Sequence, residues 1–108
     1  MKIVCRTFPR QAFDKFIEEH NLTLVIEEKR VPVEDARRYW AELEGCELEE
    51  GIILSGAFGV GATMNDAIAG LVKTIDMKTI VYKADGCVRR KIEVPRLDFT
   101  GMKAEDVE

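Results

Sequence analysis

Ile52-Ile-Leu-Ser-Gly-Ala-Phe-Gly-Val-Gly-Ala-Thr63-Met-Asn-Asp-Ala-Ile-Ala-Gly-Leu-Val-Lys-Thr-Ile75 changes its hydrophobic period halfway, and that change decides the fold class. Ile52 to Phe58 is almost wholly apolar, which predicts a strand covered on both faces and therefore central in its sheet. From Met64 the apolar residues Met64, Ala67, Ile68, Leu71, Val72 and Ile75 recur at spacings of three and four, one full face of a helix. Thr63 is a candidate N-cap, and Asp66 follows at the capping-box distance. A buried strand running straight into a capped amphipathic helix predicts helix packed on sheet.

The glycines of this segment invite a phosphate-loop reading. Gly56, Gly61 and Thr63 have the spacing of Gly-x-x-x-x-Gly-Lys-Thr, but Ala62 stands where the lysine must supply positive charge. The dinucleotide fingerprint fails as well, because Met64 occupies its third glycine. The glycines are then expected to let the chain turn sharply from strand to helix. No cofactor is called for.

Upstream, residues 2–8 read as a short strand, followed by Pro9 in the first turn of a helix. Ala12, Phe13, Phe16, Ile17 and His20 form its apolar stripe, and Asn21 is a left-handed stop. Alternation over 22–27 predicts a second strand, and residues 29–35 a loop or edge around Pro32. Tyr39, Ala41 and Leu43 then share one face of a third strand, with Arg38, Trp40, Glu42 and Glu44 on the other. Downstream, 80–84 and 88–94 predict a hairpin around Asp85-Gly86. A connection of three to five residues, aligning Val88 with Tyr82, gathers its apolar residues on one face.

The order is β-α-β-β-β-α-β-β. The fold class is α+β: a single domain over residues 1–96, with a mostly antiparallel sheet and both helices on one face. Residues 97–108 read as a polar acidic tail, expected to be mobile. The length of 108 residues, with 46% hydrophobic and 33% charged, fits one soluble globular domain. No apolar run reaches the roughly 20 residues of a membrane helix. Met1 to Arg10 carries no signal-peptide core, so the cytoplasm is the expected compartment.

Cys5, Cys46 and Cys87 are an odd, widely spaced set, which fits free thiols rather than disulfides or a zinc site. His20, the only histidine, has no neighbouring nucleophile and suits a helix end. No catalytic or metal-binding constellation emerges. The rival enzyme reading needs a pocket with a reactive carboxylate or a low-pKa Cys46 thiol.

Charge is segregated along the chain, although the net charge is only −4. Glu42, Glu44, Glu47, Glu49 and Glu50 crowd one segment without a base. Lys73, Lys78, Lys83, Arg89, Arg90 and Lys91 crowd another against two acids. The acidic segment with Trp40 is the candidate contact surface, suited to a basic partner such as a nuclease or nucleic-acid-binding protein. Trp40 is an interface anchor if its face is open, and core if a helix covers it. Lys83, Arg89, Arg90 and Lys91 form a secondary basic surface, with nucleic-acid binding through 73–91 as the alternative.

Three resemblances attach to these residues. Residues 9–75, running α-β-β-β-α, resemble the double-stranded RNA-binding domain in topology. Met64 and Asn65 replace its phosphate-binding lysines, which argues against duplex RNA. Tyr39 to Cys46 and Gly61 to Ile68 resemble the two halves of the HicB-type antitoxin pattern, with Glu44, Ala62 and Asn65 departing from it. Gly61 to Ile68, Lys78 to Val81 and Arg89 to Pro95 resemble a group of short phage and prophage proteins. The last resemblance implies a mobile-element origin and not an activity. Joined to the acidic surface and the lack of a catalytic constellation, it gives the expected function: a non-enzymatic mobile-element protein that binds and inhibits or neutralises a protein partner, antitoxin-like or anti-defence. No membrane partner is implied, and a homodimer is left open.

Overall fold

The computed structural model describes residues 1–4, 10–30, 35–83 and 89–102. It is an α+β domain in which the elements follow in the order β1 (Arg10–Ala12), α1 (Phe13–Glu19), β2 (Leu24–Glu28), β3 (Tyr39–Glu50), β4 (Ile53–Gly61), α2 (Met64–Ile75), β5 (Thr79–Tyr82), β6 (Arg90–Glu93) and β7 (Arg96–Asp98). A 3-10 turn at Asp35–Arg37 leads into β3.

Five strands form one antiparallel sheet built around β3. The long β3 pairs with β4 along one edge. Along its other edge it pairs first with β2, through Tyr39 to Leu43, and then with β5, through Cys46 to Glu49. β6 extends the sheet beyond β5. β1 and β7 make a separate parallel pair.

One device lets β3 serve two neighbours. Ala41 and Leu43 are buried, and then Cys46 and Leu48, so the inward parity switches between 43 and 46. A bulge lies there: the pairing with β4 jumps from Glu42↔Phe58 to Glu47↔Gly56. Gly45 takes φ +74°, a left-handed conformation that costs glycine least.

The inward side of the sheet packs on both helices in a single core. Phe13 and Phe16 of α1, Ala67, Ile68, Leu71 and Ile75 of α2, and Leu43, Ile80 and Ile92 of the sheet are all buried in it. Each fully buried Phe, Leu or Ile contributes about 1.5–3 kcal/mol of burial free energy. Thr63 caps α2 as its sequence foretells, its hydroxyl accepting from the Asp66 N–H at 3.1 Å. Asn21 adopts φ 53° directly after α1.

Several expectations are corrected. Residues 1–4 form no strand, and the rest of the predicted first strand and Pro9 lie outside the described residues. The first described strand is Arg10–Ala12, and α1 begins only at Phe13. Residues 97–102 are no free tail. Leu97 is buried, Phe99 meets the Phe13 ring edge-on, and the Leu97 N–H donates to Asp76 Oδ1 at 2.7 Å. Ordered structure therefore runs through residue 102, and residues 103–108 lie outside the described set.

The β5–β6 hairpin pairs Ile80 with Ile92 and Tyr82 with Arg90, two residues away from the expected register. This slip keeps the parity and sets two buried isoleucines opposite one another, the stronger determinant. Its turn at 84–88, with Cys87, lies outside the described residues, as does Cys5.

β4 is not central. Among the described residues it pairs only with β3, so it is an edge. Its apolar character has another cause. Its inner residues are small because α2 lies almost on the backbone. A Cβ built at Gly59 would stand 2.2 Å from both the Ala67 carbonyl oxygen and the Leu71 nitrogen, and one at Gly61 2.6 Å from the Ala67 nitrogen. These glycines serve close helix–strand approach rather than a sharp turn.

Candidate interaction face

The sheet side turned away from the helices is set by alternation. β3 presents Trp40 and Glu42 there before the bulge and Glu47 and Glu49 after it. β4 presents Leu54, Gly56, Phe58 and Val60, and β5 presents Thr79 and Val81. No described helix covers this side. Trp40 stacks on Phe58 with centroids 4.0 Å apart and planes 12° off parallel. Lys29 Nζ sits 5.1 Å from the Trp40 ring centroid, a cation–π contact. Trp40 is half-buried and Phe58 is 40% exposed. Of the two readings of Trp40, the outer, helix-free one is the one realised.

The candidate carboxylates do not form one acidic surface. Glu47 pairs with Lys83 at 3.4 Å, Glu49 with Lys91 at 3.0 Å, and Glu50 with Lys78 at 4.0 Å. Glu50 also falls on the opposite parity from Glu47 and Glu49. Glu44 is exposed beside the bulge. Among the described residues no ion pair reaches Glu42 or Glu44.

The basic candidates are spent in the same way. Lys83 and Lys91 are the partners just named. Arg90 lies on the inward parity, its guanidinium 5.0 Å from the Tyr82 ring and donating to the His20 carbonyl at 2.7 Å. Arg89 is exposed and, alone of the four, makes no ion pair, hydrogen bond or ring contact among the described residues. Antiparallel pairing of β3 with β5, and β5 with β6, brings the acidic and basic segments side by side. Two surfaces distinct in sequence are one mixed-charge surface in space. Val81 lies between Glu47 and Lys91 and is only 2% exposed, yet it stands outside the main core.

Reactive chemistry is sparse among the described residues. Burial pushes the Cys46 thiol up to about 11, with the Arg90 charge opposing the rise. Such a thiol is not a nucleophile at neutral pH, which removes Cys46 as a low-pKa centre. His20 caps α1, its ring edge-on to Phe16. No group of three or more His, Cys, Asp or Glu residues is placed to share a metal ion among the described residues. No described helix is long and apolar enough to cross a membrane.

Phe58, Leu54, Val60 and Lys29 belong to the outer face, and sequence reading missed them. The legible signal was the alternation of β4, broken at Ile53 and Gly56, with small residues at 55, 57, 59 and 61 against larger ones at 54, 58 and 60. Compared with known proteins, the chain matches no family model, no curated protein and no solved structure.

Proposed function

We propose that the protein is a non-enzymatic binding module, of the kind mobile elements use to inhibit or neutralise another protein, and that it docks through its helix-free sheet face. The observation that carries this reading is the Trp40–Phe58 stack: two large aromatic rings, partly open, on a side that no described helix covers. Aromatic rings of this kind are the usual anchors of interfaces. Glu42, directly across from Phe58, and the exposed Glu44 make no ion pair among the described residues and favour a basic partner such as a nuclease or nucleic-acid-binding protein. Blocking is the mechanism: the face occupies a surface the partner needs for its own ligand.

Internal pairing of Glu47, Glu49 and Glu50 shifts the emphasis from charge to aromatic contact. Affinity should therefore fall with salt by a modest factor rather than collapse. The test is capture of a partner from the host cell by the wild type, Trp40→Ala, and the pair Glu42→Lys with Glu44→Lys. Trp40→Ala should weaken binding about 30-fold or more, as loss of a hot spot does. Equal capture by folded Trp40→Ala and wild type would discard the face.

A further inference from the structure

β4 differs from the other open edges of the sheet. β2 is five residues long and carries Glu27 and Glu28; β6 is four residues long and carries Arg90, Lys91 and Glu93. Such short, charged strands resist pairing with another chain. β4 runs for nine residues, Ile-Leu-Ser-Gly-Ala-Phe-Gly-Val-Gly, without a charge or a proline. Among the described residues nothing pairs with its outer edge.

The backbone of that edge is oriented for pairing. The Glu44 N–H donates to Thr23, and the Arg38 carbonyl accepts from Lys29, so even-numbered residues of β3 before the bulge point to β2. Tyr39 and Ala41 therefore point to β4, and Gly61 and Gly59 point back at them. By alternation Phe58 and Val60 point outward. The Lys83 N–H donates to the Gly45 carbonyl, which by the same argument turns Leu54 and Gly56 outward. Four successive even residues thus offer N–H and C=O groups to a new strand. Thr74 Oγ1 lies 3.4 Å from the Phe58 carbonyl but 2.8 Å from that of Gly70, the nearer acceptor for its single proton.

We infer that two copies of this chain associate edge to edge through β4, antiparallel, about a two-fold axis at Ala57. In this register the outward-pointing residues meet one another, Leu54 opposite Val60 and Gly56 opposite Phe58, as hydrogen-bonded pairs. The outer-face side chains do not obstruct this register: the Phe58 ring stays stacked on its own Trp40, the residue facing it from the other copy is the side-chain-free Gly56, and two aliphatic side chains meet at each end. An uncharged strand meets its own copy without repulsion, which favours self-pairing although each chain carries a net −4. Nine residues extend about 30 Å, and a sheet with one helix layer is about 15 Å deep, so each copy contributes about 450 Å². That total lies at the low end for specific interfaces and implies a Kd on the order of 10–100 µM. The two helix-free faces would join into one ten-stranded surface, five strands from each copy.

Sedimentation equilibrium over a concentration series should show a monomer–dimer transition. Gly56→Pro removes one outward N–H and should yield monomer with an unchanged far-UV spectrum. The register is tested with chains in which Cys5 and Cys87 are Ser. Leu54→Cys and Val60→Cys chains, mixed under oxidation, should form a mixed disulfide, whereas each alone should not, since like positions would stand about 20 Å apart. A monomer up to about 1 mM overturns the inference. So does a dimer that Gly56→Pro leaves intact and that forms no mixed disulfide, because another surface then holds it. Trp40→Ala keeps the tests apart: it should lose the partner and keep the dimer.

Discussion

Cys46 and the two glycines Gly59 and Gly51 show how strongly environment decides what one residue does. The Cys46 thiol, ordinarily titrating at 9.0, is pushed to about 11 by burial. Native protein lacking Cys5 and Cys87 should therefore alkylate at Cys46 far more slowly at pH 8 than the same protein unfolded, which a thiol-labelling time course reads directly. The linkage has a definite sign. Burial of the neutral thiol contributes stability that is fully present below about pH 9 and is lost as pH rises through about 11, because the unfolded chain gives up its proton first. Gly59→Ala drives a methyl group into the backbone of α2 and should cost about 3 kcal/mol or more in chemical denaturation. Gly51→Ala should cost only about 1 kcal/mol: nothing lies within 4 Å of its Cβ position, and only the φ of +63° is strained. Gly51 follows two glutamates at a turn and Gly59 lies in an apolar run, but neither context says how closely a helix backbone approaches.

Elements explain what became of the charge pattern. The runs 42–50 and 73–91 are unmistakable in sequence, and each reads as a surface of its own. The β3–β5–β6 pairing converts them into cross-strand neighbours, and Lys83 and Lys91 meet Glu47 and Glu49. A double-mutant cycle on Glu49 and Lys91 should give a coupling of about 0.5 kcal/mol, reduced by salt, since Lys91 is largely exposed. Within single elements the sequence was legible. The face of α2, its Thr63 cap and the parity of Trp40 against Tyr39 all follow from spacing over a few residues. What spacing did not reveal is the bulge at Gly45, because one glycine in an acidic strand carries no mark of a parity switch. The open edge of β4 was equally hidden, since apolar composition reports coverage of a strand's faces and says nothing of its edges.

For the molecule as a whole, the decisive long-range event is closure of the C-terminal segment onto the helices. Leu97 is buried and its N–H is held by Asp76, while the Met102 N–H donates to Asn65 Oδ1 at 2.9 Å. Leu97→Ala should lower global stability by about 2–3 kcal/mol in a denaturant melt. A change below about 0.5 kcal/mol would mean that this segment is not part of the cooperative fold. Read alone, residues 97–102 look like the start of a tail, because a three-residue strand carries too few apolar positions to show a period. The sequence by itself determined the α+β class, both helices and the faces of the strands within single elements. All of these rest on hydrophobic period and residue type, which act over one or two turns of chain. Tertiary structure alone decided which charges neutralise each other, where β4 stands in the sheet and how residues 97–102 join the core. Those outcomes depend on strand order and register, set by packing between residues far apart in the chain.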